Sequence, residues 1–425
     1  MVSERDYSRI CVIGLGYIGL PTAAMFASQK LQVVGVDINP NIVETVRNGE
    51  IHIVEPELRG AVAESVATGY LKATTNPEPS DAFLISVPTP LKGDNHEPDL
   101  SFVNAAALAI APVIEAGNLV ILESTSPVGT TEKLAEWLAE KRPDLSFPQA
   151  RGDEADIRVA YCPERVLPGK VMEELRSNDR VIGGMTSACS KAAVQLYGAF
   201  VEGECVIASS PRVAEMAKLT ENSFRDVNIA FANELSVICD ELNINVWELI
   251  PLANRHPRVN ILQPGPGVGG HCIAVDPWFI ISSATEHANL IRVAREVNDS
   301  KPRWVSERIY AALGNYLVQN SEVTADAVTI AIYGLSFKPD IDDLRGSPAL
   351  EIAKTIVANH PGEVLAVEPN ITELPVSGSY GLTLVSLDDA LRKADIHVLL
   401  VDHKEFKNSR PSQGQIVDTR GIWRQ

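Results

Sequence analysis

The run 10-ICVIGLGYIGLPTAAMFASQ-29 leaves a chain very few folds to adopt. A short apolar strand pattern, Ile10 to Ile13, meets Gly14-x-Gly16-x-x-Gly19, and helix-forming residues follow directly. A second apolar run, 32-QVVGVD-37, ends on an acid about 20 residues further on. Strand, glycine turn, helix, strand and terminal acid together make a dinucleotide-binding unit. Gly14 makes the tight turn, Gly16 lets a pyrophosphate approach, and Gly19 packs helix on strand. Tyr17 and Ile18 lie in the same turn, and the helix N-terminus faces the phosphates. Asp37 binds the adenosine ribose hydroxyls. Its charge repels a 2'-phosphate, so the expected cofactor is NAD rather than NADP. The plain alternative is a glycine-rich turn without a ligand.

The same run carries no charged residue from Ile10 to Gln29, long enough to suggest a membrane helix or a signal peptide. Three glycines and Pro21 interrupt it, and the preceding charges are mixed in sign (Glu4, Arg5, Asp6, Arg9), which argues against both. A formal net charge of -18 and a pI of about 4.9 exclude a general nucleic-acid or membrane-surface binder. Cysteines 11, 162, 189, 205, 239 and 272 are scattered without a CxxC, which suits reduced thiols in the cytoplasm.

Further strand-like runs are 82-AFLISVP-88, 119-LVILEST-125 and 158-RVAYCPE-164, with helical patterns at 61–67, 103–110 and 131–138 between strands. Buried strands alternating with helices predict a parallel, doubly wound sheet. The stretch 211–242 has no glycine and no internal proline, and its apolar residues keep helical spacing. It reads as one long helix, serving either as a dimer spine or as a linker. The strand–helix alternation resumes at 327-AVTIAIYGLSF-337, 348-PALEIAKTIVA-358, 363-EVLAVEP-369 and 395-DIHVLLVD-402. The expected fold is therefore α/β, with two Rossmann-like doubly wound lobes joined by a central helical segment. Its parts are 1–205, an NAD-binding domain; 206–320, a helical dimerisation domain carrying a cysteine loop; and 321–425, a second Rossmann-like lobe.

Candidate chemistry clusters at strand ends. Loops 86-SVPTP-90 and 123-ESTSPVGTT-131 offer Pro88, Thr89, Ser124 and Thr125 to the ligand crevice, unless they are simple turn chemistry. Glu164 in 161-YCPERVLPG-169 is either a base that activates water or a surface carboxylate paired with Arg165 or Arg176. Lys218 and Asn222 share a helix face, as an oxyanion-stabilising pair or as a solvated surface. In 263-QPGPGVGGHCIAVDPWFI-280, four glycines and three prolines surround Cys272, between His271 and Asp276. Glycines let backbone come close to a bound group, and prolines hold the approach rigid. The thiol is a buried structural cysteine, a metal ligand or a nucleophile. No second Cys or His stands at zinc-ligand spacing, so no metal is expected. Asp276-Pro277 suits a helix start, which favours thiolate at Cys272.

The dinucleotide fingerprint, 218-KLTEN-222, the GVGGHC loop and 334-GLSFKPDIDDLRGSPALEI-352 together resemble the UDP-glucose/GDP-mannose dehydrogenase family over nearly the whole chain. The resemblance implies a four-electron oxidation of a sugar C6 alcohol to a carboxylate, with two NAD+ reduced and Cys272 as nucleophile. It gives Asp276 as the acid following the thiol, Lys218 and Asn222 as oxygen-charge stabilisers, and Thr125 and Glu164 as water-positioning groups. Arg165, Val166, Asn260, Gly269, Phe337 and Lys338 fall where relatives hold the sugar nucleotide. Arg258 matches an arginine that reaches the neighbouring subunit's sugar, and Arg345 one near the cofactor pyrophosphate. A UDP-sugar substrate bound by the 321–425 lobe, a homodimer and an envelope-polysaccharide pathway, such as that of enterobacterial common antigen, are implied with them. Two departures stand out. Pro168 replaces a second glutamate, and Gly346 follows Arg345 where relatives often carry Glu. The short loop from Arg258 to Cys272 puts glucose in doubt and fits an N-acetylated sugar.

Overall fold

The alternation read from the sequence appears in the computed structural model, which describes residues 7–423 apart from 54, 94, 168, 271 and 375–380. Pro168 and His271 thus lie outside the described residues. By internal packing the chain divides into two compact units, Met1–Glu221 with Trp278–Thr285, and Asn222–Pro277 with Glu286–Gln425.

The strands of the first unit are β1 Arg9–Ile13, β2 Gln32–Val36, β3 Leu71–Thr74, β4 Ala82–Ile85, β5 Leu91–Lys92, β6 Glu97–Pro98, β7 Leu119–Leu122, β8 Arg158–Tyr161, β9 Arg180–Gly184 and β10 Cys205–Ile207. Apart from the small β5–β6 hairpin they form one sheet, in the order β10-β9-β8-β7-β4-β1-β2-β3. From β3 to β8 this is the doubly wound order of a dinucleotide-binding domain, with its switch point between β1 and β4. The ladder joining β8 to β9 is antiparallel, and the other ladders of this sheet are parallel. Residues of β4 and β7 are wholly buried, as strands covered by helices on both faces must be. Each buried Val, Leu or Ile of these strands contributes roughly 1.5–3 kcal/mol.

The charge-free run is no membrane span. It divides into β1, a turn and α1, Gly19–Ser28. Among the described residues no helix is long and apolar enough to cross a membrane.

The long helix runs Pro211–Glu241. Leu219 and Ala230 are buried, but Phe224, Phe231 and Ile238 are 68%, 53% and 42% exposed. A second 31-residue helix, Asn289–Gln319, had no clear signal in the sequence because Pro302 sits inside it. The second unit's sheet contains β11 Ile330–Tyr333, β12 Val364–Val367, β13 Thr383–Leu384, β14 Ile396–Leu399 and β15 Gln415–Asp418, ordered β13-β12-β11-β14-β15 and all parallel. Ser347 caps the helix after β11, with Pro348 in its first turn.

Candidate active site

In the first unit the candidate residues follow the carboxyl ends of β1, β2, β4, β7 and β8. The three glycines of the turn have three separate reasons to be glycine. Gly14 has φ +94°, and a side chain there would meet the Ser86 carbonyl oxygen at 2.6 Å. A Cβ on Gly19 would lie 1.8 Å from the Gly14 oxygen, so the first turn of α1 packs directly on the strand-end loop. A Cβ on Gly16 would meet nothing within 4 Å. No packing demand keeps Gly16 bare, so its missing side chain suits a ligand's approach.

Asp37 is half-buried at the end of β2. Its Oδ2 accepts the Leu15 N–H at 3.0 Å and its Oδ1 the Asn39 N–H at 2.8 Å. Carboxylate, open glycine and helix N-terminus fit the ribose and pyrophosphate of NAD.

The second unit repeats this device. Gly334 N–H donates to the Val367 oxygen at 2.9 Å, as Gly14 N–H does to Val36 at 2.8 Å. Leu335 N–H donates to Glu368 Oε2 at 2.8 Å, as Leu15 does to Asp37. Glu368, however, is buried and already holds the Ser336 amide and the His403 ring. Burial alone would raise its pKa. Hydrogen bonds from His403, Leu335 and Asn370 outweigh that and hold the carboxyl below its ordinary range. Its ribose-binding capacity is thus filled from within the lobe.

Loop 123–131 is anchored by a residue that sequence reasoning passed over. Glu215, buried on the long helix, accepts N–H bonds from Gly129 at 2.6 Å and Thr131 at 2.8 Å, and the Thr131 hydroxyl at 2.7 Å. A carboxylate at the first turn of helix Thr130–Lys141 satisfies its orphan amides and complements its dipole. Within this arrangement Thr89 Oγ1 donates to the Thr125 carbonyl at 2.6 Å, and Pro88 is exposed beside it.

Glu164 is 8% exposed, which excludes the surface carboxylate considered above. Its ion-pair partner is neither Arg165 nor Arg176. Arg180 Nη2 donates to Glu164 Oε2 at 2.6 Å, while the Arg165 guanidinium reaches Glu221 at 2.6 Å. The Arg165 backbone N–H takes Glu164 Oε1 at 2.7 Å. Behind Arg180 lies Glu123, which accepts from Tyr197 at 2.6 Å and from Ser86 at 2.7 Å. Burial pushes the Glu123 carboxyl up, and Arg180 and these two hydroxyls oppose it.

In the second unit Asn222 is buried and donates through Nδ2 to Asp276 Oδ2. The Asp276 N–H donates to the Cys272 carbonyl at 2.9 Å, so the thiol's own backbone starts the turn leading into helix Asp276–Ser283. Cys272 is exposed. The other end of the loop is tied down as well, since Gly265 N–H donates to Asn233 Oδ1 at 2.9 Å. Asn233 bonds Asn298 at 2.8 Å, and Asn298 bonds Asp226 at 2.8 Å. Positions 222, 226 and 233 lie on one helix face, a polar pattern that periodicity could have revealed.

Two of the loop's glycines also have a packing reason to be glycine. At Gly269 a Cβ would fall 2.5 Å from the Gly346 oxygen and 2.6 Å from Pro348. At Gly270, with φ +84°, it would meet the Phe337 ring at 3.0 Å. The glycines let the loop lie against the Phe337–Pro348 segment of its own unit. Gly346, the departure noted above, is where that contact falls.

Lys338 is half-buried beside Phe337, and Arg345 bonds Asp343 at 2.7 Å. Arg258 and Asn260 are exposed, and the described contacts do not join them to the other candidates. Lys218, half-buried, stands one helical turn before Asn222, and Val166 is half-buried beside Arg165. Asp340, His403 and Glu405 come within metal-binding distance of one another. His403 Nδ1 already accepts the Asp340 N–H at 2.9 Å while Nε2 faces Glu368, so the ring has no lone pair to give a metal.

A dinucleotide-binding lobe with the ribose acid open and a second lobe with it filled have the architecture of an NAD-dependent dehydrogenase, and an exposed cysteine stands on a braced loop of the second unit. The domain models of the UDP-glucose/GDP-mannose dehydrogenase family match at residues 8–201 (NAD binding), 212–300 (central) and 331–425 (UDP binding), and the chain belongs to that family. It is 63% identical over 422 residues to a UDP-N-acetyl-D-mannosamine dehydrogenase of Yersinia pestis, covering 99% of this chain and all of that one. It is 59% identical over 423 residues to an NDP-N-acetyl-D-galactosaminuronic acid dehydrogenase of Ralstonia nicotianae, covering 99% and 97%. The solved UDP-D-ManNAc dehydrogenase of Pyrococcus horikoshii superposes with a TM-score of 0.85 at 39% identity, covering 97% of this chain and 96% of that one.

Proposed function

We propose that this enzyme oxidises UDP-N-acetyl-D-mannosamine at C6 to the uronate through a covalent intermediate on Cys272. The observation that carries the reading is the exposed Cys272 on a loop braced by Asn222–Asp276 at one end and Asn233 at the other. A thiol held rigid yet open to solvent suits a nucleophile and not a packing residue. NAD, when bound, accepts a hydride in each of two oxidations. The residues proposed to hold it are Gly14, Gly16, Tyr17, Ile18, Gly19, Asp37, Pro88, Thr89, Thr125 and Arg345.

Lys218 and Asn222 stabilise the negative charge on the C6 oxygen, with Asp276 fixing the Asn222 amide. The Cys272 thiolate adds to the aldehyde carbon and retains it, and oxidation of that thiohemiacetal leaves a thioester. Glu164 and Thr125 position the water that releases the uronate. Arg165, Val166, Asn260, Gly269, Phe337 and Lys338 hold the sugar nucleotide, and Arg258 serves the neighbouring protomer's substrate. Functionally the chain divides at 1–205, 206–320 and 321–425.

The exposed stripe Phe224, Phe231 and Ile238 on the long helix supports a homodimer. These positions are seven residues apart, the spacing of a helix seam that a second copy covers. The identity to the Ralstonia enzyme favours one competing reading, a nucleotide-linked N-acetylgalactosamine substrate. Cys272→Ser tests the mechanism. It should keep UDP-sugar binding and lose uronate formation, and uronate made at near the wild-type rate would overturn the covalent step.

A further inference from the structure

We propose that Arg180 is a positioning residue for thioester hydrolysis, holding the Glu164 carboxylate from behind so that its remaining lone pairs serve the attacking water. The inference rests on the reading of Glu164 as the group that takes the water's proton. In that step the water oxygen bonds to the thioester carbonyl carbon and the C–S bond breaks. One water proton passes to Glu164, the Cys272 thiolate leaves, and no electron is transferred.

Arg180 sits on β9 and is 4% exposed. Its guanidinium lies 4.1 Å from the centroid of the Tyr197 ring, donates to Glu164 at 2.6 Å and reaches Glu123 at 3.5 Å. The hydroxyl of Tyr197 fixes Glu123 from one side and Ser86 fixes it from the other. Ser86 in turn borders the positions where a side chain on Gly14 or Gly19 would fall. One buried chain of contacts therefore runs from the phosphate-binding turn to Glu164 inside a single unit.

Stability does not account for this arrangement. Taking a guanidinium and two carboxylates out of water costs several kcal/mol per ion, and apolar residues of similar volume commonly do as well. The chain ends at Glu164, the most exposed of its three charged members at 8%, against 4% for Arg180 and 2% for Glu123. A carboxylate offers about four acceptor positions. Arg180 and the Arg165 amide take one on each oxygen, which fixes the plane of the group and leaves the rest for water. The planar fork lying over the Tyr197 ring supplies an orientation that a lysine ammonium cannot.

The test is rapid mixing of the full-length enzyme with NAD and the sugar nucleotide, with intact-mass detection of the acyl-enzyme. Arg180→Met is expected to give a burst of two NADH per site, an accumulating acyl-enzyme, a steady-state rate about tenfold or more below wild type, and KM values within about twofold. Arg180→Lys should fall between the two. Tyr197→Phe, which keeps both charges, should slow hydrolysis a few-fold and serves with Arg180→Lys if the methionine variant does not fold. Variants that lose rate without a burst or acyl-enzyme would overturn the proposal, because a purely structural loss lowers the active fraction and leaves the limiting step unchanged. Glu164→Gln separates the two readings. If it accumulates acyl-enzyme and the Arg180 variants do not, only the Arg180 assignment fails. If it does not, the reading of Glu164 fails with it.

Discussion

Replacing Gly16 and Gly19 by alanine in separate proteins should divide ligand binding from folding. At Gly19 the new Cβ must clear a backbone oxygen 1.8 Å away, and neither Gly14 nor the first turn of α1 is a flexible side-chain tip. A relief of more than 1 Å falls on buried backbone in the first unit's core. The cost should match or exceed the roughly 1–3 kcal/mol of ordinary core overpacking. At Gly16 the new methyl meets open space, and the residue is not among those with positive φ. Alanine there is expected to leave stability unchanged or raise it by up to about 1 kcal/mol, through the narrower unfolded ensemble. The methyl would occupy the surface over which the pyrophosphate passes, so the NAD Kd should rise at least about tenfold, or about 1.4 kcal/mol. Urea unfolding and calorimetric NAD titration of both variants give the comparison. Gly16→Ala that binds NAD as the wild type does would refute the assignment of the open glycine to the cofactor. Gly19→Ala with full stability would refute the packing argument.

Asp226 is wholly buried against Arg295, yet burial outweighs that partner and raises its pKa from 3.8 to about 6. A carboxyl with a raised folded pKa contributes stability that is complete below pH about 4 and is lost as the pH climbs through about 6. Up to about 3 kcal/mol is at stake. Urea midpoints of the wild type should fall across that window more than those of Asp226→Asn/Arg295→Met, and equal slopes would contradict the assignment. Glu215→Ala leaves two buried amides and a hydroxyl without their acceptor, and should destabilise by about 2–4 kcal/mol in thermal unfolding. Phe231→Glu places a charge in the exposed helix stripe and should convert the proposed dimer to a monomer in analytical ultracentrifugation, with Cys272 and Asn222 untouched; a wild type that sediments as a monomer would overturn the dimer proposal.

Much of this molecule was legible in its sequence. The β1–α1–β2 unit, the long helix and the second α/β lobe follow from apolar periodicity and from glycine and proline punctuation, because those features act locally. The second long helix was less legible, since Pro302 within it reads locally as a break. The site was half legible. Asp37, Cys272, the Lys218–Asn222 pair and Asp276 each sit in a local motif, whereas the Asn222–Asp276 hydrogen bond joins positions 54 residues apart. Arg180, Glu123, Tyr197 and Glu215 sit in no such motif, because they are brought to Glu164 and to loop 123–131 by strand order, and the nearest in sequence to Glu164 is 16 residues away. The loop glycines illustrate the limit most clearly. Their number suggested ligand approach, and the packing of Gly269 and Gly270 against Phe337, Gly346 and Pro348, segments about 70 to 80 residues distant, adds a demand that local pattern cannot register.

The most direct test of the proposed activity is to count NADH formed per sugar nucleotide consumed by the purified enzyme, with UDP-N-acetylmannosamine, UDP-N-acetylglucosamine, UDP-N-acetylgalactosamine, UDP-glucose and GDP-mannose in parallel. Two NADH per UDP-N-acetylmannosamine, with little turnover of the other four, is the expected result. One NADH per sugar, with free aldehyde released, would contradict the covalent four-electron reaction, and two NADH from another sugar alone would keep the chemistry and overturn the substrate.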